Sequence, residues 1–145
     1  MKNGRHVKPW NPTSVPAPIG KYSHLIEVDS APRWIFISGQ VGVRTDGSVA
    51  DTMHTQTLQA FANIDALLDE MNAGPGHIVR LLTFAVGVDD VPDFYRARDE
   101  VYARWFPDGL YCGHSLAVVA ALARPEIVVE IEGWVAVPAI GTARP

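Results

Sequence analysis

Cysteine is almost missing from this sequence. Cys112 stands alone among 145 residues, and a single thiol excludes both an internal disulfide framework and a zinc site built from several cysteines. Long apolar runs are missing as well. Stretches such as Leu116–Ala123 fall far short of the roughly 20 residues that span a bilayer. There is no block of basic residues. Twelve Lys and Arg against sixteen Asp and Glu leave a net charge of -4, which argues against nucleic acid or an anionic membrane as a partner. The polar N-terminal stretch Met1–Trp10 has no apolar signal core. Gly-x-Ser-x-Gly does not occur, and Gly39-Gln40-Val41-Gly42 lacks the third glycine and the following helix of a dinucleotide fingerprint. Cys112-Gly113-His114 supplies two ligands at most, and His24, His54 and His77 have no matching spacing, so no metal is expected. What remains is 48% hydrophobic and 19% charged. That composition describes a folded chain with one core, expected to be soluble and cytoplasmic.

Pro9, Pro12, Pro16 and Pro18 mark residues 1–20 as an extended N-terminal arm rather than an element. Ser23–Val28 suits a strand, Ala31-Pro32-Arg33 a turn, and Trp34–Gly39 a second strand rich in aromatic and β-branched residues; together they read as a hairpin. Asp51 or Thr52 can cap a helix whose Leu58, Phe61, Ile64, Leu68 and Met71 recur every three or four residues on one face. Asn72-Ala73-Gly74-Pro75 stops it. His77–Val88 reads as a third strand. Asp90-Val91-Pro92-Asp93 begins a second helix, with Asp90 as cap and Phe94, Ala97, Val101 and Trp105 as its buried face. Two strands close the domain, His114–Ala123 and Ile127–Val137, facing each other across Arg124-Pro125-Glu126. Residues 21–137 form the domain and 138–145 a tail.

This order predicts an α+β sandwich, one mostly antiparallel sheet with two helices on one face. The last strand predicts what happens on the other. Ile127, Val129, Ile131, Val135 and Val137 share the core side, and Val128, Glu130, Glu132, Trp134 and Ala136 the opposite side. That second side is too apolar for open water and too acidic for a core. A subunit interface containing a small cleft accounts for it.

Five segments resemble one family. Pro18-Ile19-Gly20-Lys21-Tyr22-Ser23-His24, Ile37-Ser38-Gly39-Gln40-Val41, Gln56-Thr57 with Asn63-Ile64, Asp99-Glu100-Val101-Tyr102, and Val129-Glu130-Ile131-Glu132 occur in the order found in the Rid family (RidA/YjgF-like proteins). The resemblance runs from about Pro18 to Val137. It implies a chorismate-mutase-like fold, a homotrimer with clefts between subunits, and cofactor-independent hydrolysis of small reactive imines and enamines. It also exposes departures. Typical deaminating members carry an arginine at the start of the penultimate strand, where a guanidinium grips the substrate carboxylate bidentately; here the pair is His114-Ser115, followed by Leu116. A helix asparagine of typical members is replaced by Asp99. The chain thus resembles an arginine-lacking subgroup, to which 2-imino-acid deamination does not carry over directly. Either the substrate has no simple α-carboxylate, or an arginine of another chain binds it.

The resemblance makes Glu130 the residue that holds water near a C=N carbon and shuttles its proton. Glu132, on the same strand face, reads as a structural partner for a neighbouring chain. His114, with an ordinary pKa of about 6.5, can donate to a substrate oxygen or act as general acid. Tyr22 matches a cleft-lining tyrosine, Gly39 and Gln40 a strand end whose backbone meets the ligand, and Ser115 and Leu116 the residues beside the missing arginine. Phe84 reads as core or cleft wall. Whether His114 and Glu130 share a cleft depends on strand register, because one residue more or fewer in the Arg124–Glu126 turn exchanges the faces; the alignment favours one cleft. The resulting expectation is a Rid-like hydrolase with a small-molecule substrate and no cofactor, metal, nucleic acid or membrane. The alternative is a non-catalytic ligand-binding or regulatory trimer of the same fold. Ribonuclease activity, also attached to the family, fits poorly with the acidic charge and the lack of a basic stripe.

Overall fold

A computed structural model describes residues 6–29 and 32–139. Six strands and two helices follow in the order β1 (Val7–Trp10), β2 (Leu25–Val28), β3 (Arg33–Val41), α1 (Met53–Glu70), β4 (Ile78–Val86), α2 (Val91–Trp105), β5 (Gly113–Val119) and β6 (Val129–Val137). The first five residues of the arm, Ala31 of the expected turn, and the tail from residue 140 lie outside the described residues.

α1 begins as its sequence dictates. The Thr52 side chain accepts the Thr55 N–H, and Thr55 Oγ1 accepts the Thr52 N–H in return, which satisfies two of the donors a helix start leaves open. Phe61, Ile64 and Leu68 are buried, while Leu58 and Met71 pack at the core margin. Asp90 does not cap α2 with its side chain. A 3-10 turn over Val88–Asp90 precedes the helix, and Asp90 already has helical backbone angles. The expected inner face of α2 is buried throughout: Phe94, Ala97, Val101 and Trp105.

Three expectations about pairing and elements are corrected. Val7–Trp10, inside the expected arm, is a strand, and β2 pairs with it antiparallel rather than with β3. The last two strands are not neighbours. The main sheet has the order β3-β6-β4-β5, with β6 inserted between β3 and β4 and antiparallel to both. β5 runs parallel to β4 at the sheet edge, reached through α2. Hairpin reasoning from chain adjacency failed because a parallel crossover by way of a helix competes with it.

Both helices cover one face of this sheet. Ile37, Leu81, Ala85, Val129, Ile131 and Val135 meet Phe61, Ile64, Phe94 and Tyr102 there. The other face carries Trp34, Phe36 and Trp134, whose exposures are 51%, 44% and 41%. Their rings touch, with Phe36 and Trp134 centroids 5.0 Å apart and Trp34 and Trp134 6.4 Å apart. The alternation expected for β6 holds as far as Trp134, with Val129, Ile131, Val135 and Val137 buried, Glu130 and Glu132 half-buried and Trp134 exposed, whereas Ala136, expected on the open side, is fully buried.

Candidate functional site

The register places the candidate residues on two faces. His114 stands opposite Leu81 and Leu116 opposite Thr83. Leu81 and Thr83 point into the core, so His114 and Leu116 point to the helix side. The contacts agree: His114 Nε2 is 3.0 Å from Thr83 Oγ1, and its ring stacks on Phe94 of α2 at 6.1 Å and 15°. Glu130 stands opposite Phe84 and Glu132 opposite Leu82, on the open side. Within one chain His114 and Glu130 therefore do not share a cleft.

Glu130 occupies a niche that glycine leaves. A Cβ on Gly39 would land on Glu130 Oε1 and come within 2.6 Å of its Cδ and 2.7 Å of its Cγ. The close approach follows an irregularity in the β3–β6 register between Ile37 and Gln40, and a bulge of this kind turns a backbone locally. No side chain among the described residues pairs with the Glu130 carboxylate. Gln40 stands at the register of Ile131 rather than Glu130, and its amide folds back to donate to the Ser38 carbonyl at 3.0 Å. Ser115, opposite Leu82, takes the open-side direction at the sheet edge.

On the helix side a cavity of about 560 Å³ opens between residues 19–22, α2 and the start of β5. It unites Tyr22, His114 and Leu116, three residues expected at a site, is also bordered by Ser115 at the sheet edge although that residue takes the open-side direction, and adds Tyr95 and Arg98. A second hollow of about 350 Å³ shares Tyr22, His114 and Ser115 and is bounded by Arg80. Burial, with the Arg98 and Arg80 guanidiniums nearby, lowers the His114 pKa from 6.5 to about 4. The imidazole is neutral at pH 7. It cannot serve as a cationic acid, but it remains a hydrogen-bonding group. Tyr22 Oη accepts the Ile19 N–H at 3.4 Å, and its ring meets His24 edge-on.

Arg98 and Tyr95 were missed in the sequence. Arg98 lies four residues after Phe94 and four before Tyr102, within the buried stripe of α2, and is 5% exposed. A charge inside an apolar helix stripe was the available signal. Its Nη2 and Nε donate to Asp99 Oδ1 at 2.8 and 3.2 Å. Its guanidinium carbon lies 4.6 Å from the Tyr95 ring centroid and 5.4 Å from that of Tyr102. Lys21 Nζ also reaches Asp99 Oδ1, at 3.4 Å.

Cys112 is buried. Desolvation pushes its thiol up to about 12, with Tyr102 Oη 3.7 Å from the sulfur. A cavity of about 500 Å³ bounded by His6, Asp69 and His77 holds none of the expected site residues. Among the described residues no group of three or more His, Cys, Asp or Glu is placed to hold a metal ion, and no helix is long and apolar enough to cross a membrane.

A family model described as Endoribonuclease L-PSP matches residues 12–137. The chain belongs to this family, the Rid (YjgF/RidA) family. It is 32% identical over 94 residues to a RutC family protein of Aquifex aeolicus, covering 64% of this chain and 70% of that one. It is 30% identical over 94 residues to a 2-iminobutanoate/2-iminopropanoate deaminase of Dermatophagoides farinae, covering 63% and 71%. A solved Rid family structure, YyfB of Yersinia pestis, superposes with a TM-score of 0.78 at 27% identity over 91% of this chain and 99% of that one. The Rid fold accounts for the sandwich described above, with both helices on one side.

Proposed function

We propose that this Rid protein hydrolyses a small imine, enamine or related electrophile, without a cofactor, in clefts between copies of itself arranged as a trimer. The observation that carries the reading is Glu130: a half-buried carboxylate with no partner among the described residues, seated where only glycine at position 39 gives it room. His114 and Glu130 point to opposite faces of one sheet. A cleft lined by both is therefore built from two chains, with the His114 cavity of one copy meeting the open face of the next. The exposed Trp34, Phe36 and Trp134 favour such contact, since burying the roughly half of each that remains exposed is worth on the order of 1 kcal/mol apiece.

In this cleft Glu130 accepts a proton from water as the water oxygen bonds to the C=N carbon and the π electrons move to nitrogen, which takes up a proton. The tetrahedral adduct then collapses. Its C–N bond breaks as Glu130 returns its proton to the departing nitrogen and the adduct's hydroxyl proton passes to solvent, replacing the one the nitrogen drew from solvent, so that a carbonyl and ammonia leave. Tyr22 and neutral His114 orient the substrate, the backbone at Gly39 approaches its polar end, and Phe84, across from Glu130, walls the niche. Steady-state hydrolysis of enzymatically generated imines, with light scattering on the same samples, tests this reading. Turnover by a trimer is expected. A monomer at micromolar concentration, or turnover unchanged in Glu130→Gln, overturns it.

One observation favours the binding-protein alternative. The strand position that carries arginine in typical members holds a histidine kept neutral, which weakens the grip on a charged substrate. Saturable ligand binding with no turnover of any imine would select that reading. Ribonuclease activity, suggested by the printed name of the family model, is not proposed: the net charge is -4 and backbone-phosphate binding needs a basic surface.

A further inference from the structure

We infer that Arg98 of α2 is an anion anchor, which makes the helix-side cavity a binding site for the carboxylate of a small organic acid. This rests on the same cleft as the proposed function and names the charge of its ligand.

The argument begins with the cost of the residue. A guanidinium 5% exposed inside an apolar helix stripe is expensive unless its donors are used. Two of its nitrogens are: Nε and Nη2 both bond Asp99 Oδ1. Nη1 bonds to no described residue, yet it is not sealed off from solvent-accessible space, and the space Arg98 borders is the cavity with Tyr22, Tyr95 and His114. The plane is fixed by Asp99 on one side and the rings of Tyr95 and Tyr102 on the others, so the free edge is held ready. Charge balance points the same way. Arg98 and Arg80 both act on His114, while Asp99 is shared between Arg98 and Lys21. Two cations, Arg98 and Lys21, thus share a single carboxylate beside this cavity, in a chain that is acidic overall. His114 Nδ1, with Nε2 occupied by Thr83, is a second polar atom for the same ligand. A planar fork with a free edge matches a carboxylate. The cation absent from the start of β5 is thus supplied from the opposite wall of the cavity, by the same chain and not by another.

Calorimetric titration of the full chain at pH 7 tests this without requiring turnover. The probes are 2-oxobutanoate and its primary amide, which has the same shape without the charge. The acid is expected to bind at least about 10-fold more tightly than the amide, with Arg98→Met abolishing that preference. Asp99→Asn, which frees Arg98 from its counter-ion, should tighten the acid several-fold. Equal affinities for acid and amide in the native chain, no binding of the acid at 10 mM (about the weakest affinity an anchor of this kind allows), or a preference that survives Arg98→Met overturn the inference. Should Arg98→Met fail to fold, the native comparison and Asp99→Asn decide, and an affinity unchanged in Asp99→Asn overturns it. A preference lost in Arg80→Met and kept in Arg98→Met moves the site to β4 and also overturns it. A chain that binds the acid but hydrolyses nothing keeps the anchor and loses the hydrolase. A chain that hydrolyses neutral imines and ignores the acid does the reverse.

Discussion

The two faces of the four-stranded sheet carry comparable chemistry under opposite conditions. On the helix side, aromatic rings are sealed and the candidate histidine is stacked, bonded and stripped of charge. On the open side, three aromatic rings lie bare and the candidate glutamate has no described partner. The helix side packs its rings within the chain, whereas the open side leaves its rings and its carboxylate uncovered there. Residues on the first face are tuned by folding. Those on the second, exposed rings and a carboxylate with no described partner, are the ones on which the proposed inter-subunit cleft draws.

The strongest test of this contrast is Glu130→Gln. It preserves size and removes the base, and turnover should fall about 10²–10⁴-fold with assembly intact by scattering. Glu132→Gln should cost less, because it stands opposite Leu82 and outside the Gly39 niche.

A pair of truncations compares the faces directly. Phe94→Ala, at a fully buried position, should cost about 3–5 kcal/mol in chemical denaturation and remove the ring beneath His114. Trp134→Ala should leave the single chain folded and weaken self-association, read as a shift toward smaller species on dilution. Equal effects on chain stability would erase the distinction drawn here.

The pH response probes the helix side. The folded-state pKa of His114 is depressed from 6.5 to about 4. The unfolded chain therefore takes up a proton first as pH falls. The stabilisation is fully present above about pH 6.5 and is lost between there and about pH 4, by roughly 3 kcal/mol. Burial and neighbouring His6 lower His77 in the same direction, so His114→Asn should flatten much, not all, of the slope in denaturation midpoints.

The smallest effect concerns the niche. Gly39→Ala forces the flexible Glu130 side chain aside, and an off-rotamer cost of about 0.5–1.5 kcal/mol corresponds to a few-fold loss of turnover with little change in melting temperature.

Local rules made much of this fold legible. The α1 cap at Thr52, the apolar stripes of both helices and the two-sided character of β6 follow from period and capping chemistry, which act over a few residues. Partner choice acts over the whole chain, and there adjacency misled: β2 turned back to the arm and β5 went to β4. The same register that the sequence left open decided the faces of His114 and Glu130. Two family motifs prove to be pins. Gln56 bonds the Ala50 and Glu126 carbonyls and the Val128 N–H, and Asn63 bonds the carbonyls of Val41 and Val43; both fix the ends of strands that bear the site. Arg98 escaped notice because its neighbours in the stripe read as core, and a charge among them was passed over.

Cys112 sits at the entrance to β5, sealed beside Tyr102 with its thiol held protonated. As the sole sulfhydryl in the sequence, it gives alkylating reagents one target, reachable only when α2 and β5 part. The rate of its modification is therefore a clock for the breathing of the cavity wall. A ligand that bridges α2 to β5 would slow that clock in proportion to its occupancy.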